Sequence, residues 1–128
     1  MEASALLDAH VQLKRVYAAL NEALDLTRQM ADAADRDDDV AARMLVSMRQ
    51  EPTDKLAMAH QALEQQCRAL PGDDGARLAA LLKGAAAETR EEDALVSQVR
   101  QNKRVLKQLV DLDRTVNLKL AREKSIYQ

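Results

Sequence analysis

The chain of 128 residues has no Phe and no Trp, and it has only two Tyr, three Gly and one Ile. Strands favour β-branched and aromatic side chains, so this composition argues against a β-sheet. The abundant Ala, Leu, Gln, Glu, Lys and Arg lose little conformational freedom in a helix. Because aromatic rings are the bulkiest core fillers, helices without them are expected to lie close together along thin seams. The sequence therefore predicts an all-α protein, an elongated antiparallel helical bundle or coiled-coil hairpin with two long helices and shorter helices between them.

Cysteine, long apolar runs and a leader-like start are also scarce or missing. The single Cys67 cannot form a disulfide within the chain, which suits a reducing compartment, and we interpret it as a buried packing residue. No apolar run approaches the ~20 residues of a membrane span. The first residues lack the basic segment and apolar core of a signal peptide. We therefore expect a cytoplasmic protein without a membrane span.

Catalytic and metal-binding motifs are missing as well. We find no Gly-rich phosphate loop, no metal-spaced pair of His or Cys, and no Ser with a credible base. Asp35, Asp37 and Asp39 match the start of a calcium loop, but Val40 replaces its Gly and Val46 replaces its bidentate Glu. The sequence therefore predicts a protein that is not an enzyme, with no metal site and no cofactor.

The two histidines do not form a signalling motif either. Histidine phosphotransfer modules carry an exposed His followed closely by Lys-Gly. His60 has no such pair after it, and the pair Lys83-Gly84 has no His before it. We interpret His10, which lies on a helical seam, as a packing residue.

A long helix is predicted over residues 3–34, where apolar or small residues recur at alternating steps of four and three. The acidic run 37–39 suits the N-terminus of a further helix. Residues 37–70 are predicted to form helices broken near Pro52, which either kinks a helix or lies in the first turn of the next one. The seam residues of the first helix are Leu6, His10, Leu13, Tyr17, Leu20, Leu24, Thr27, Ala31 and Ala34.

The second half of the chain is predicted to begin with a turn at 71–75, within Leu-Pro-Gly-Asp-Asp-Gly. Residues 76–127 are predicted to form one helix or several, with a long helix from about residue 88. Glu88 and Glu92 interrupt the apolar seam, so we expect them to face water. All of these elements are assigned to a single domain, residues 1–128.

Polar residues on the C-terminal seam point to a partner. A polar seam residue costs stability but specifies register, because it needs a matching polar group. We interpret the stripe from Leu95 onward as a docking surface that its own chain covers incompletely. Replacing Asn102 with Leu is accordingly expected to stabilise the protein or its self-association. The candidate partner-binding residues are Leu95, Val99, Asn102, Leu106, Leu109, Asp113, Val116 and Leu120.

The net charge of −2 is unevenly distributed along the chain. From Arg100 onward, eight basic residues outnumber three acidic ones. Such a split can indicate nucleic-acid contact. However, the pI is about 5.7 and no aromatic residues interleave with the basic ones for base stacking. We interpret the basic face as solvated or paired with acidic side chains, and we do not expect nucleic acid as a partner.

Two stretches of the chain resemble the FlgN family of flagellar export chaperones. The first is RMLVSMRQEPTDKL, residues 43–56, which contains Arg49 and Gln50. The second is the predicted C-terminal helix, ALVSQVRQNKRVLKQLVDLDRTVNLKL, residues 94–120. In it a seam asparagine is followed by paired apolar residues, and a tyrosine lies near the end of the chain: Asn102, Val105, Leu106, Leu109, Val110 and Tyr127.

This resemblance implies a small, cytoplasmic, all-helical chaperone that binds rather than catalyses. Such proteins hold the C-terminal amphipathic helices of hook-filament junction proteins and deliver them to the type III export apparatus. The apolar positions of the stripe would contact the client helix, and Asn102 and Asp113 would set its register. The alternative is a self-associating coiled-coil adaptor or structural protein of unrelated role, such as a homodimer.

Overall fold

The computed structural model describes the backbone of residues 1–127 and the side chains of residues 1–121. The predicted all-α helical bundle is confirmed, and the described part of the chain contains no strand. A short 3₁₀ turn, Arg90–Glu92, precedes the last helix. The α-helices are α1 (Ala3–Asp35), α2 (Asp39–Met48), α3 (Gln50–Ala69), α4 (Asp74–Leu82) and α5 (Asp93–Tyr127).

The boundary between α1 and α2 is formed by the acidic run noted in the sequence. Asp37 has a positive φ of 54°, which reverses the chain after α1. Asp38 is the N-cap of α2, and its carboxylate accepts a hydrogen bond from the backbone N–H of Ala41 at 3.0 Å. This bond satisfies one of the free N–H groups in the first turn of the helix. The run therefore acts as a helix cap.

The break between α2 and α3 lies at Arg49, three residues before Pro52. Pro52 is buried in the first turn of α3, where a missing N–H costs no hydrogen bond. Of the two alternatives that the sequence left open, the structure therefore shows the first-turn position. We call α2 and α3 together the return arm.

The return arm runs antiparallel to α1. Near the start of α3, the Lys55 ammonium lies 3.3 Å from the Glu22 carboxylate. Near the end of α3, the Gln66 side chain donates a hydrogen bond of 2.6 Å to the carbonyl of Ala5. As residue numbers rise along the return arm, those of its α1 partners fall.

The two long helices, α1 and α5, run parallel, so the predicted antiparallel hairpin of these two helices is corrected. The Asn102 side chain donates to the carbonyl of Leu13 at 3.0 Å, and Lys119 pairs with Asp35 at 2.8 Å. The reason is that residues 39–69 form a complete arm of their own. The chain therefore crosses the length of the molecule three times, and its third crossing has the direction of its first.

Helix α4 occupies the end of the bundle where α1 begins. The chain turns just before it, close to the predicted 71–75 turn, although the helix already includes Asp74 and Gly75. A Cβ on Gly75 would overlap the carbonyl oxygen of Cys67, so glycine permits α4 to approach the end of α3 closely. Leu78 and Leu81 of α4 are fully buried, and α4 packs against both α3 and α5.

The segment between α4 and α5 departs from the prediction of a long helix from about residue 88. Gly84, with φ of 110°, ends α4, and α5 begins only at Asp93. Glu92 is buried rather than facing water, which corrects the second expectation for this segment. Glu88 is exposed, as expected.

A charged side chain in α4 explains why Glu92 is buried. The Arg77 guanidinium donates to both Glu92 carboxylate oxygens, at 2.8 and 3.1 Å, and to the carbonyl of Ala86. The backbone N–H of Glu88 donates to the same carboxylate at 2.8 Å. The hydrogen bonds from Arg77 lower the pKa of Glu92 to about 2, despite its burial. This network fastens the connecting segment to α4.

Three apolar clusters follow one another along the bundle. The cluster at the α4 end joins α1, α3, α4 and α5, and it includes Leu13, Leu63 and Leu81. The middle cluster joins α1, α3 and α5. The cluster at the far end joins α1, α2 and α5, and it includes Met30 and the fully buried Val116. Helices α1 and α5 contribute to all three clusters, and α1 is the central element because it packs against α2, α3 and α5.

Candidate helix-binding groove

A groove of about 720 Å³ lies between α3 and α5 in the half of the bundle that contains α4. Its floor is α1, its walls are α3 and α5, and α4 closes one end. Helices α3 and α5 each pack extensively against α1 but make at most marginal contact with each other. The groove therefore exists because the two walls share a floor without closing over it.

Helix α4 contributes to the separation of the two walls. It packs against the C-terminal half of α3 and the N-terminal half of α5, with Leu78 and Leu81 in the cluster that these helices share. Close packing excludes a direct contact between α3 and α5 where α4 lies between them. The α4 helix therefore acts as a wedge between α3 and α5 at the closed end of the groove.

The groove is lined mainly by aliphatic side chains. Leu13, Val16 and Leu20 form the floor, and all three are buried beneath the surrounding side chains. On the α5 wall, Leu106 is 47% exposed, although it is a large apolar residue. Leu56 and Leu63 of α3 face it from the opposite wall. A channel of this composition suits an apolar helix face better than a polar small molecule.

Charged side chains lie at the rim of the groove, mostly towards α4. Arg68 pairs with Glu64 on the same helix at 3.2 Å. Lys103 donates a hydrogen bond of 3.1 Å to the carbonyl of Lys83, at the C-terminus of α4. This contact places a cation where the helix dipole and the free carbonyl groups favour one.

Three of the eight residues predicted to contact a partner line this groove: Val99, Asn102 and Leu106. Leu95 and Val116 are instead core residues, exposed to 1% and 0% respectively. The predicted stripe therefore does not form a continuous open surface, because much of it faces α1. Leu109 and Leu120 are half-buried against the middle and far clusters, and Asp113 lies beside the return arm.

Asn102 has its hydrogen-bonding partners within the chain. Its amide nitrogen donates to the carbonyl of Leu13 on α1, and its amide oxygen accepts from Gln98 at 2.9 Å. Both Asn102 and Gln98 are buried. Asn102 therefore fixes the register between α1 and α5, and the expectation that a separate partner satisfies it is corrected.

Asp113 also has an internal partner. Its carboxylate pairs with the Arg49 guanidinium at 2.6 Å, at the junction of α2 and α3. The same guanidinium nitrogen lies 3.3 Å from the hydroxyl of Thr27, which in turn donates to the carbonyl of Ala23. Arg49 thus connects the three arms of the bundle, and Asp113 sets the position of α5 against the return arm rather than against a client.

The α3 wall is the part of the site that was not predicted. Its lining residues include Leu56, His60, Leu63 and Cys67. A usable signal was present, since Leu56 and Leu63 are one heptad apart and mark an apolar stripe on this helix. What the sequence could not show is that this stripe faces α5 across a gap.

Cys67 is only partly buried, whereas the sequence predicted a buried packing residue. It lines the groove near its α4 end. Partial burial and the nearby Glu64 carboxylate both raise the pKa of the Cys67 thiol. A raised pKa reduces the thiolate fraction, so this cysteine is not activated as a nucleophile.

Among the residues that the structure describes, no group of three or more His, Cys, Asp or Glu side chains could hold a metal ion. None of the helices in the same part of the chain combines the length and apolarity needed to cross a membrane. No family model, curated protein or solved structure matches the chain.

Proposed function

We propose that this protein is a non-enzymatic chaperone that holds an amphipathic helix of another protein in the groove between α3 and α5. The observation that carries this proposal is the apolar channel left where two walls pack on α1 but make at most marginal contact with each other. A helix placed in the channel would contact both walls and complete a four-helix arrangement. Its apolar face would cover the exposed side of Leu106, which favours binding through the removal of apolar surface from water.

The more specific form of the proposal concerns the client. The resemblance to FlgN-type chaperones supports a cytoplasmic role in flagellar or type III export, with hook-filament junction proteins as clients. In that role the groove would shield the client's C-terminal amphipathic helix from self-association until export. Asn102 and Asp113, which the resemblance would make register positions for the client, have partners within the chain. The client contacts we propose are therefore Leu106 and the groove residues around it.

The test is a pair of matched substitutions on α5. Leu106→Asp places a charge in the groove, whereas Leu118→Asp changes a residue that is 64% exposed and does not line it. The probe is a synthetic peptide that spans the C-terminal helix of a hook-filament junction protein from the same source organism. We expect Leu106→Asp to weaken peptide binding by about tenfold or more, as measured by calorimetry, and Leu118→Asp to leave it nearly unchanged.

Two results would contradict the proposal. If a folded wild-type protein binds neither this peptide nor a generic amphipathic helix, the helix-binding function is wrong. If it binds generic helices but not the hook-filament junction helix, only the flagellar assignment is wrong. Circular dichroism of both variants checks that a loss of binding does not come from unfolding.

Self-association is the second candidate function, because one face of α2 carries exposed apolar residues. Val40, Met44 and Met48 are spaced four residues apart, and they are 75%, 60% and 49% exposed. Clustered exposed apolar side chains are typical of interaction surfaces. If this face joins two copies, sedimentation velocity should show a dimer that Met44→Asp dissociates and Leu106→Asp does not.

A further inference from the structure

The charges at the rim of the groove are concentrated at one of its ends. Arg68, Lys83 and Lys103 all lie towards α4, and Glu64 is the acidic residue among them. At the other end, the lining residues are Leu20, Leu56 and Leu106, which carry no charge. The groove therefore has a cationic end and an apolar end.

Two of the three cations at that end lack a carboxylate partner. Arg68 is compensated by Glu64, since they form an ion pair along α3. Among the side chains of residues 1–121, no carboxylate lies within 4.0 Å of the Lys83 or Lys103 ammonium. The local charge is therefore available to an incoming group.

The head group of Lys103 lies beside Gly84, at the C-terminus of α4. Its ammonium donates to the carbonyl of Lys83, and a Cβ on Gly84 would overlap that same nitrogen. Gly84 thus leaves the space that the lysine head group occupies. Lys103 is exposed, so its ammonium remains open to an incoming carboxylate.

We infer that the helix bound in the groove carries Asp or Glu side chains at the end that lies beside Lys83 and Lys103, and aliphatic side chains over the rest of its contact face. The α3 wall from Leu56 to Arg68 spans about 18 Å at ~1.5 Å per residue, so the contact face is three to four helical turns long. This inference rests on the proposed function and adds the charge and the length of the partner helix.

The experiment uses designed amphipathic peptides of about 16 residues that share one apolar face. They carry Glu, Gln or Lys beside that face at one end, and each pattern is also made at the opposite end. Binding to the full-length protein is measured by fluorescence anisotropy at low and at high ionic strength. We expect the best-placed Glu peptide to bind about tenfold more tightly than its Gln counterpart, with a difference that salt reduces.

Two protein variants are compared, and each of them reverses the charge of two basic residues. Lys83→Glu with Lys103→Glu reverses the cationic end. Arg104→Glu with Lys107→Glu makes the same change in net charge at exposed positions of α5 that do not line the groove. We expect the first variant to prefer the Lys peptide over the Glu peptide, and the second to keep the wild-type preference.

Lys103→Glu also removes the hydrogen bond to the carbonyl of Lys83 at the C-terminus of α4. Lys83→Glu alone is therefore measured in parallel, since the Lys83 side chain makes no polar contact with the side chains of residues 1–121. Equal binding of the Glu, Gln and Lys peptides by the wild-type protein overturns the inference but leaves the helix-binding function intact. No binding of any peptide overturns both. A dimer that the Lys83→Glu variant dissociates and that no peptide displaces would assign the groove to a second copy, which also overturns the inference.

Discussion

The seam between the return arm and α5 is open at one end of the bundle and closed at the other. Near α4, the walls stand apart and enclose the groove, with Leu106 exposed at its edge. At the far end, the seam is bridged by the ion pair between Arg49 and Asp113 and by the cluster that contains Val116. The same two arms therefore behave differently according to what lies between them, a wedge helix or bridging side chains.

The two ends also differ in how charge is used. At the far end, the Arg49 guanidinium donates hydrogen bonds within the chain, to Asp113 and Thr27. Near α4, the Arg77–Glu92 pair is internal as well, but Lys83 and Lys103 remain at the rim of the groove. The groove end therefore keeps two ammonium groups without a carboxylate partner among residues 1–121, whereas the far end pairs its guanidinium internally.

The largest expected effect comes from shortening a side chain of the wedge. Leu78→Ala should lower the free energy of unfolding by about 2–5 kcal/mol, because Leu78 is fully buried and its loss leaves a cavity. The control, Leu118→Ala, should change it by no more than about 0.5 kcal/mol. Urea denaturation of both variants measures the difference. A loss below about 1 kcal/mol for Leu78→Ala would mean that α4 unfolds separately from the bundle.

The next effect is a pH dependence of the stability of the fold, which comes from Glu92 at the α4 end of the bundle. The pKa of Glu92 is lowered from its usual 4.5 to about 2 by its hydrogen bonds with Arg77. A lowered pKa stabilises the fold above the ordinary pKa and loses that contribution as the carboxylate becomes protonated. Thermal stability should therefore fall as the pH decreases from about 4.5 towards 2.

Glu92→Ala separates this contribution from general acid denaturation. At neutral pH the variant should be less stable by about 2–3 kcal/mol, because the charged hydrogen bonds to Arg77 are lost. Its stability should also change less over the acidic range than that of the wild type. Glu91→Ala, at an exposed neighbouring position, is the control. Parallel pH curves for wild type and Glu92→Ala would disprove the assignment.

Asn102 tests the seam between α1 and α5 beside the groove. Asn102→Leu should cost about 1–3 kcal/mol, because the buried Gln98 amide loses its acceptor. This reverses the expectation from the sequence, in which a leucine at this seam position stabilises the protein. The double variant Asn102→Leu with Gln98→Leu should recover part of the loss, since both polar groups are then removed. Chemical denaturation decides between the two expectations. An increase in the stability of Asn102→Leu would support the expectation from the sequence and contradict the one from the structure.

The smallest effect is expected at the closed end of the seam. Asp113→Asn should lower stability by about 1 kcal/mol, because the ion pair with Arg49 is partly exposed and solvent weakens it. A double-mutant cycle with Arg49→Met isolates the energy of the pair. If the pair limits the length of the groove, these variants should also bind a longer amphipathic peptide more tightly than the wild type does. Unchanged binding would mean that the apolar cluster around Val116 closes the seam without the ion pair.

Much of the fold and part of the site could be predicted, and the reasons differ from residue to residue. The extent of α1, the cap at Asp38 and the turn before α4 follow from helix propensity, spacing and capping, which act over a few residues. The apolar stripe pointed to Leu106, which lines the groove, but it did not reveal that Leu95 and Val116 face α1.

Local sequence accounts for the formation of the helices, their approximate ends and the spacing of their apolar positions, because these features depend on residues one to four positions apart. Tertiary packing sets the parallel direction of α1 and α5, the bonds from Asn102 and Asp113 to Leu13 and Arg49, and the burial of Glu92 against Arg77. The groove is also a feature that tertiary packing sets. It depends on the distance between two helices that are separated in sequence, and that distance is set by the packing of α1 beneath them and α4 between them.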